Sequence, residues 1–307
     1  MTFDRMTLVI PDDTKFDECK IITKGDVVIG NRCLIQFGIK TDGRIFIGEH
    51  VEIQGNLDAT GDIRADIFTS ITGNVRSGRN VYLGEKVSIK GKLTLKGDLD
   101  VGDSVEISQG FEAKGWINIR SPIPVVIYIF IYLLQLLRMG RGEEIEKILK
   151  EIEEKGEDKI SISETFLFIP DNTTIGILKS NVDYNLSIGK KSILRGNFDV
   201  KGNITIESDT IIHGSIMSEG NFFCEKNTVI NGNIYSNGNV KIEEKSSVFG
   251  SIYGNKIFLS KNASINGELF AKEGVSFVTP SKIEMDDKIK RFEAEANVID
   301  EVKNILE

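Results

Sequence analysis

The chain has 307 residues, of which 40% are hydrophobic, and a formal net charge of −8 at pH 7. This length exceeds a typical single core and predicts two domains or one quasi-linear array. The acidic balance, without a run of Lys and Arg that could follow a phosphate backbone, argues against nucleic acid as the main partner.

The cysteines and the first residues indicate a cytoplasmic protein. The three cysteines, Cys19, Cys33 and Cys224, form no C-x-x-C pair and are interpreted as reduced thiols that act as small core residues. The first residues carry charges at Asp4 and Arg5 and contain no long apolar stretch, so they do not resemble a secretory signal.

Glycines recur every eighteen residues along most of the chain, for example at Gly55, Gly73 and Gly91. Between them, apolar and polar residues alternate over four to six positions, a period of two that predicts short strands with one buried face. Such strands must stack, so we expect a β-solenoid (parallel β-helix) with about three strands in each coil. The inward positions are predicted to be Ile45, Ile47, Val51 and Ile53 in one coil, and Val81, Leu83, Val87 and Ile89 in another.

A shift of about 159 residues aligns the chain with itself, placing "LVIPDDT" at Leu8 on "LFIPDNT" at Leu167. The sequence therefore predicts two tandem solenoids of about five coils each, with a helical segment after each copy. The predicted domains are residues 1–120, a linker at 121–160, residues 161–279, and a C-terminal helix at 280–307. The leading strands of the two solenoids, which contain Leu8 and Phe168, are interpreted as caps or as self-association joints.

The linker contains the apolar run Ile123–Leu137, in which only Pro124 and Gln135 are not plainly apolar or aromatic. As a helix this run would span about 22 Å, short of the roughly 30 Å hydrocarbon core, which favours an interfacial or re-entrant placement at a membrane. A buried element between the solenoids and a subunit interface are the alternatives. The predicted membrane contacts are Ile123, Val126, Ile127, Tyr128, Phe130, Ile131, Tyr132, Leu134, Arg138 and Arg141.

The C-terminal helix carries apolar residues at alternating steps of four and three, among them Ile289, Phe292 and Ile299. This spacing suits a short coiled coil between chains, and packing against its own solenoid is the alternative. The sequence shows no metal-ligand spacing and no Ser/His/Asp arrangement, and we expect no cofactor or nucleotide. His50 and His213 are interpreted as histidines of surface turns.

The glycine-punctuated coils of Gly202–Asn255, "GNITIESDTIIHGSIMSEGNFFCEKNTVINGNIYSNGNVKIEEKSSVFGSIYGN", resemble the bactofilins, a polymer-forming cytoskeletal family. The resemblance covers both predicted solenoids and rests on the repeat pattern. It implies a non-enzymatic, right-handed β-helix that polymerises end to end without nucleotide and is tethered to the cytoplasmic membrane face by a short apolar segment. The partners it implies are other copies of the chain and membrane lipid. Two solenoids in one chain, with the apolar segment between them, depart from the family pattern.

Two other functions stay open at this point. "IGEHVEI" at Ile47, "LGEKVSI" at Leu83 and "IGKKSIL" at Ile188 also resemble the hexapeptide repeats of left-handed β-helix acyltransferases. Such an enzyme needs a general base, for which only His50 or His213 is available. A membrane-bound scaffold that does not polymerise is the third interpretation. The pattern does not define the handedness of the helix.

Overall fold

The computed structural model describes residues 6–119 and 166–278, which we call the N-terminal half and the C-terminal half. These residues form an all-β, parallel β-solenoid of about 12 turns, and they contain no helix. The predicted solenoid fold is confirmed. The predicted helical segments lie outside the described residues and stay predictions.

The strands are short, as alternating patterns of four to six residues require. Those of the N-terminal half are β1 (Thr7–Ile10), β2 (Lys15–Asp17), β3 (Lys20–Thr23), β4 (Asp26–Ile29), β5 (Leu34–Ile35), β6 (Gly38–Thr41), β7 (Ile45–Ile47), β8 (Glu52–Ile53), β9 (Leu57–Ala59), β10 (Ile63–Ala65), β11 (Ser70–Ile71), β12 (Val75–Ser77), β13 (Val81–Leu83), β14 (Ser88–Ile89), β15 (Leu93–Leu95), β16 (Leu99–Val101), β17 (Glu106–Ile107), β18 (Phe111–Ala113) and β19 (Ile117–Ile119). Those of the C-terminal half are β20 (Phe166–Ile169), β21 (Thr174–Ile175), β22 (Lys179–Val182), β23 (Asn185–Ile188), β24 (Ile193–Arg195), β25 (Asn197–Val200), β26 (Ile204–Ile206), β27 (Ile211–His213), β28 (Ile216–Ser218), β29 (Phe222–Cys224), β30 (Val229–Ile230), β31 (Ile234–Ser236), β32 (Val240–Ile242), β33 (Ser247–Val248), β34 (Ile252–Gly254), β35 (Ile257–Ser260), β36 (Ser264–Ile265), β37 (Leu269–Ala271) and β38 (Val275–Val278).

The strands form three sheets that run the length of the solenoid. Sheet A has 14 strands, and sheets B and C have 12 strands each. Residues eighteen apart are register partners, so that Ile63 lies between Ile45 and Val81. Near the C-terminal end, Val240 pairs with Ile257, so that coil is one residue shorter than the eighteen-residue coils. Strands from both halves belong to each sheet, so the two halves form one continuous stack.

The inward side chains form one apolar core along the axis. All eight positions predicted to point inward are buried, which confirms the period-two interpretation. Two of the three cysteines, Cys33 and Cys224, are also buried as expected. The prediction for Cys19 is wrong: Cys19 lies exposed in the hairpin between β2 and β3.

The corners explain why glycine and asparagine repeat with the coil. A Cβ atom at Gly91 would overlap the backbone of Gly73 in the preceding coil, so side chains are excluded where the coils approach most closely. At a neighbouring corner position the Oδ1 atom of Asn56 accepts a hydrogen bond of 2.8 Å from the backbone N–H of Asn74. Asn74 repeats this bond to Lys92. The corner asparagines thus satisfy backbone donors that the strands leave unpaired.

The two halves meet at their N-terminal ends, where they exchange their first strands. β1 pairs in parallel with β23 of the C-terminal half, and β20 pairs in parallel with β4 of the N-terminal half. Between them, β1 and β20 are antiparallel neighbours. The β2–β3 and β21–β22 hairpins reverse the chain direction in the other two sheets. We call this region, residues 7–23 and 166–182 with the strands beside them, the joint.

Candidate functional site

An unusual surface of the described residues lies at the two outer ends of the solenoid, next to residues 120 and 279. The N-terminal half ends in the coil β17, β18 and β19, and the C-terminal half ends in the coil β36, β37 and β38. In the described part of the chain, no strand pairs with the outer edge of either coil. Each end therefore has a row of backbone donors and acceptors that no described strand pairs.

Both outer ends expose side chains that point into the core elsewhere. Ile117 is the register partner of the buried Leu99, and Phe277 is the register partner of the buried Leu259. Because no described coil lies over them, Ile119 and Phe277 are each 72% exposed. Trp116 is 83% exposed at a corner position, where its counterpart Asp98 in the preceding coil is also exposed. The other large apolar residues exposed in the outer coils are Phe111, Phe270, Val275 and Val278.

The C-terminal outer end continues a column of aromatic rings. The ring centroids of Tyr235 and Tyr253 are 4.7 Å apart, and those of Tyr253 and Phe270 are 4.6 Å apart, with nearly parallel planes. One face of each inner ring lies against the next ring, and Phe270 stands in the last coil. The column therefore reaches the outer end with an aromatic ring that no further described coil covers.

A groove of about 750 Å³ runs along sheet A of the N-terminal half, beside Phe46, Arg64 and Tyr82. Guanidinium groups lie over its aromatic rings: that of Arg64 is 4.4 Å from the Tyr82 centroid, and that of Arg44 is 5.1 Å from the Phe46 centroid. Each guanidinium lies against one face of its ring, and the Arg64–Tyr82 contact joins neighbouring coils.

The two histidines are both exposed and contact neighbouring coils. His50 has a positive φ of 56° in a turn and stacks on Phe68, with 4.8 Å between the ring centroids. The Nδ1 atom of His213 lies 2.9 Å from the side-chain nitrogen of Asn231. The turn prediction is confirmed for His50, whereas His213 ends strand β27.

The buried thiols are held in the protonated form. Burial raises the pKa of the Cys33 thiol to about 11 and that of the Cys224 thiol to about 12. Within the described ranges, no three His, Cys, Asp or Glu side chains are placed to hold a metal ion. No helix long and apolar enough to cross a membrane occurs among the described residues.

The structure places the predicted self-association residues in different regions. Leu8 and Phe168 are buried in the joint, where they connect the two halves of one chain. Their proposed role between chains stays a prediction. Ile289, Phe292 and Ile299 lie outside the described residues, as do all the predicted membrane contacts from Ile123 to Arg141.

Sequence reasoning missed the exposed residues of the outer ends. "WINI" at Trp116 and "VSFV" at Val275 alternate like the strands of any inner coil, so their local pattern predicts burial. The available signal was their position, since each precedes a change in composition and the end of the glycine repeat. Comparison of the chain with protein families, with curated proteins and with solved structures found no significant match.

Proposed function

We propose that this protein is a non-enzymatic, self-assembling scaffold that forms polymers through the ends of its solenoid, in the manner that the resemblance to bactofilins implies. The observation that supports this proposal is the pair of outer ends, each with a strand edge that no described strand pairs and with exposed side chains of the core type. A coil of a second copy would supply the missing strand partners and cover the apolar side chains.

Two ends on one rod favour linear growth over a closed dimer. An isologous contact at one end uses that end completely, and the opposite end remains free to bind another copy. The same holds if an N-terminal outer end binds a C-terminal outer end, because the contact then repeats by translation. Either arrangement gives a filament, and no nucleotide is needed because the contact relies on burial and strand pairing.

Substitutions that introduce a charge at each outer end test the proposed assembly. We expect Ile119→Glu combined with Phe277→Glu to abolish pelleting of the protein without nucleotide, because each carboxylate would have to be buried in the contact. Each single variant should stop at dimers if like ends join, and at monomers or short chains if unlike ends join. Pelleting is measured by ultracentrifugation, with circular dichroism to show that the fold is retained.

Phe249→Glu is the matched control for the end variants. Phe249 is 56% exposed but lies on the side of the solenoid, so its substitution should leave pelleting unchanged. Equal loss of pelleting in the control, or normal pelleting of the double end variant, would refute assembly through the ends.

We further propose that the scaffold is held at the cytoplasmic membrane face by the apolar run Ile123–Leu137. The support for this location is the sequence alone: fifteen residues with eleven Ile, Val, Leu or Phe side chains, flanked by Arg120, Arg138 and Arg141. The run follows directly on the N-terminal outer end, so a membrane contact would lie next to one growing end of the scaffold.

A further inference from the structure

The two halves make the same backbone contacts with each other at the joint. The N–H of Gly30 donates to the carbonyl of Ile169, and the N–H of Gly189 donates to the carbonyl of Ile10, both at 2.6 Å. The side chains of Asp171 and Asp12 accept from the backbone of Asn31 and Lys190, at 2.7 and 2.8 Å. Each bond recurs after the 159-residue shift, so the backbone alone would allow any two halves to pair.

The side chains in the core of the joint, unlike these backbone contacts, differ between the two halves. Phe16 contacts Phe37 of its own half and Phe198 of the other half, with ring centroids 5.4 and 6.3 Å apart. All three rings are almost fully buried. Phe16, with Phe37 packed against it in the same half, thus meets Phe198 of the other half inside the core.

Equivalent positions in the two halves differ in size in a complementary way. The N-terminal half has Phe16, Ile21 and Phe37 where the C-terminal half has Ile175, Ser180 and Gly196. In the opposite sense, Phe198 and Val182 of the C-terminal half correspond to Ile39 and Thr23. Gly196 has a φ of +97°, which a phenylalanine would adopt only with strain. The two halves therefore differ in size at equivalent positions, and a pair of like halves could not repeat the Phe16–Phe198 contact.

We propose that the joint is a selective coupler, which accepts the complementary half of the same chain or of a second copy and rejects a like half. Two N-terminal halves would bring together two copies of Phe16, Phe37 and Ile21 and overfill the core. Two C-terminal halves would bring together two copies of Ser180 and Gly196 and leave it underfilled. Only the unlike pair fills the joint, so assembly through it is limited to reciprocal exchange of leading strands.

A cleavable full-length chain tests this selectivity. A protease site is inserted after Glu157, outside the described residues, in the background of Ile119→Glu and Phe277→Glu so that end contacts do not contribute. Two preparations with tags of different mass are folded, cut, mixed in denaturant and refolded together. Native mass spectrometry then counts the pairs formed by the N-terminal and C-terminal fragments.

We expect unlike pairs, with both tag combinations equally represented, and like pairs at about a tenth of that level or less. Like pairs at their statistical share, or fragments that separate after cutting, would overturn the proposal. These outcomes are independent of pelleting, because the end contacts are removed from the experiment.

A variant of the C-terminal half tests whether the side chains in the joint determine the preference for unlike pairs. Ile175→Phe with Ser180→Ile gives it the large residues of the N-terminal half, and we expect unlike pairs to fall at least about tenfold. Ile252→Phe, a similar enlargement of a buried residue far from the joint, is the matched control and should keep the preference for unlike pairs. Equal loss of pairing in both variants would assign the effect to general destabilisation and contradict a coupler in the joint.

Discussion

At the scale of single residues, the Asp26–Arg44 pair is an exception to the rule that charges lie outside the solenoid. The Asp26 side chain is only 4% exposed, and its Oδ1 atom accepts from the backbone N–H of Arg44 at 2.9 Å and from Nε at 3.1 Å. The carboxylate raises the pKa of the Arg44 guanidinium. The equivalent residues of the C-terminal half are Asn185 and Asn203, which make the corresponding backbone bond without charge.

Removing the Arg44 guanidinium should lower the free energy of unfolding more than removing the charge of Asp26. We expect Arg44→Ala to lower the free energy of unfolding by about 2 kcal/mol at pH 7, because a buried carboxylate loses its cationic partner. Asp26→Asn should cost less than about 1 kcal/mol, because the amide oxygen still accepts from the Arg44 backbone and the guanidinium can reach water.

Urea unfolding at pH 7 measures both changes in stability. Equal losses for Arg44→Ala and Asp26→Asn would show that the ion pair is unimportant.

At the scale of elements, the apolar run Ile123–Leu137 carries the proposed membrane contact. Replacing Ile127 and Ile131 with Glu should release the protein from anionic liposomes, because two charges would have to enter the apolar layer, at roughly 2 to 3 kcal/mol each. Flotation with liposomes measures the bound fraction. The double variant Met217→Glu with Phe249→Glu, which changes exposed residues of the solenoid, is the control and should float like the wild type.

If the wild type never floats with lipid and the Glu variant unfolds, the run is a buried element and the membrane proposal fails. A wild type that floats and a Glu variant that still floats would place the lipid contact elsewhere in the chain. Circular dichroism of both variants separates release from unfolding.

The strands themselves could be predicted from the sequence, but their partners at the joint could not. Alternation and the eighteen-residue step define the inward residues of every inner coil, since each strand pairs with the next coil along the chain. The leading strands are different because "LVIPDDT" and "LFIPDNT" are nearly the same motif, and each could pair with either half. We propose that the choice depends on packing such as that of Phe16 against Phe198, a contact between residues far apart in the sequence.

At the scale of the whole molecule, the exchange of leading strands turns two repeats into one rod. Because the halves meet at their N-terminal ends, both outer ends are C-terminal coils, and both expose residues of the core type. From the sequence alone, one could not tell which end of each predicted solenoid would pair with the other solenoid. These two outer ends are the surfaces through which we propose that the assembly grows.

The axial repeat of assemblies formed without nucleotide, measured by electron microscopy, tests the central proposal most directly. With coils about 4.8 Å apart, the rod of about 12 turns predicts filaments of single-solenoid width that repeat every 60 Å or so, or at twice that distance if like ends join. Particles that remain monomeric at all protein concentrations, or filaments whose repeat is unrelated to the rod length, would contradict growth through the outer ends.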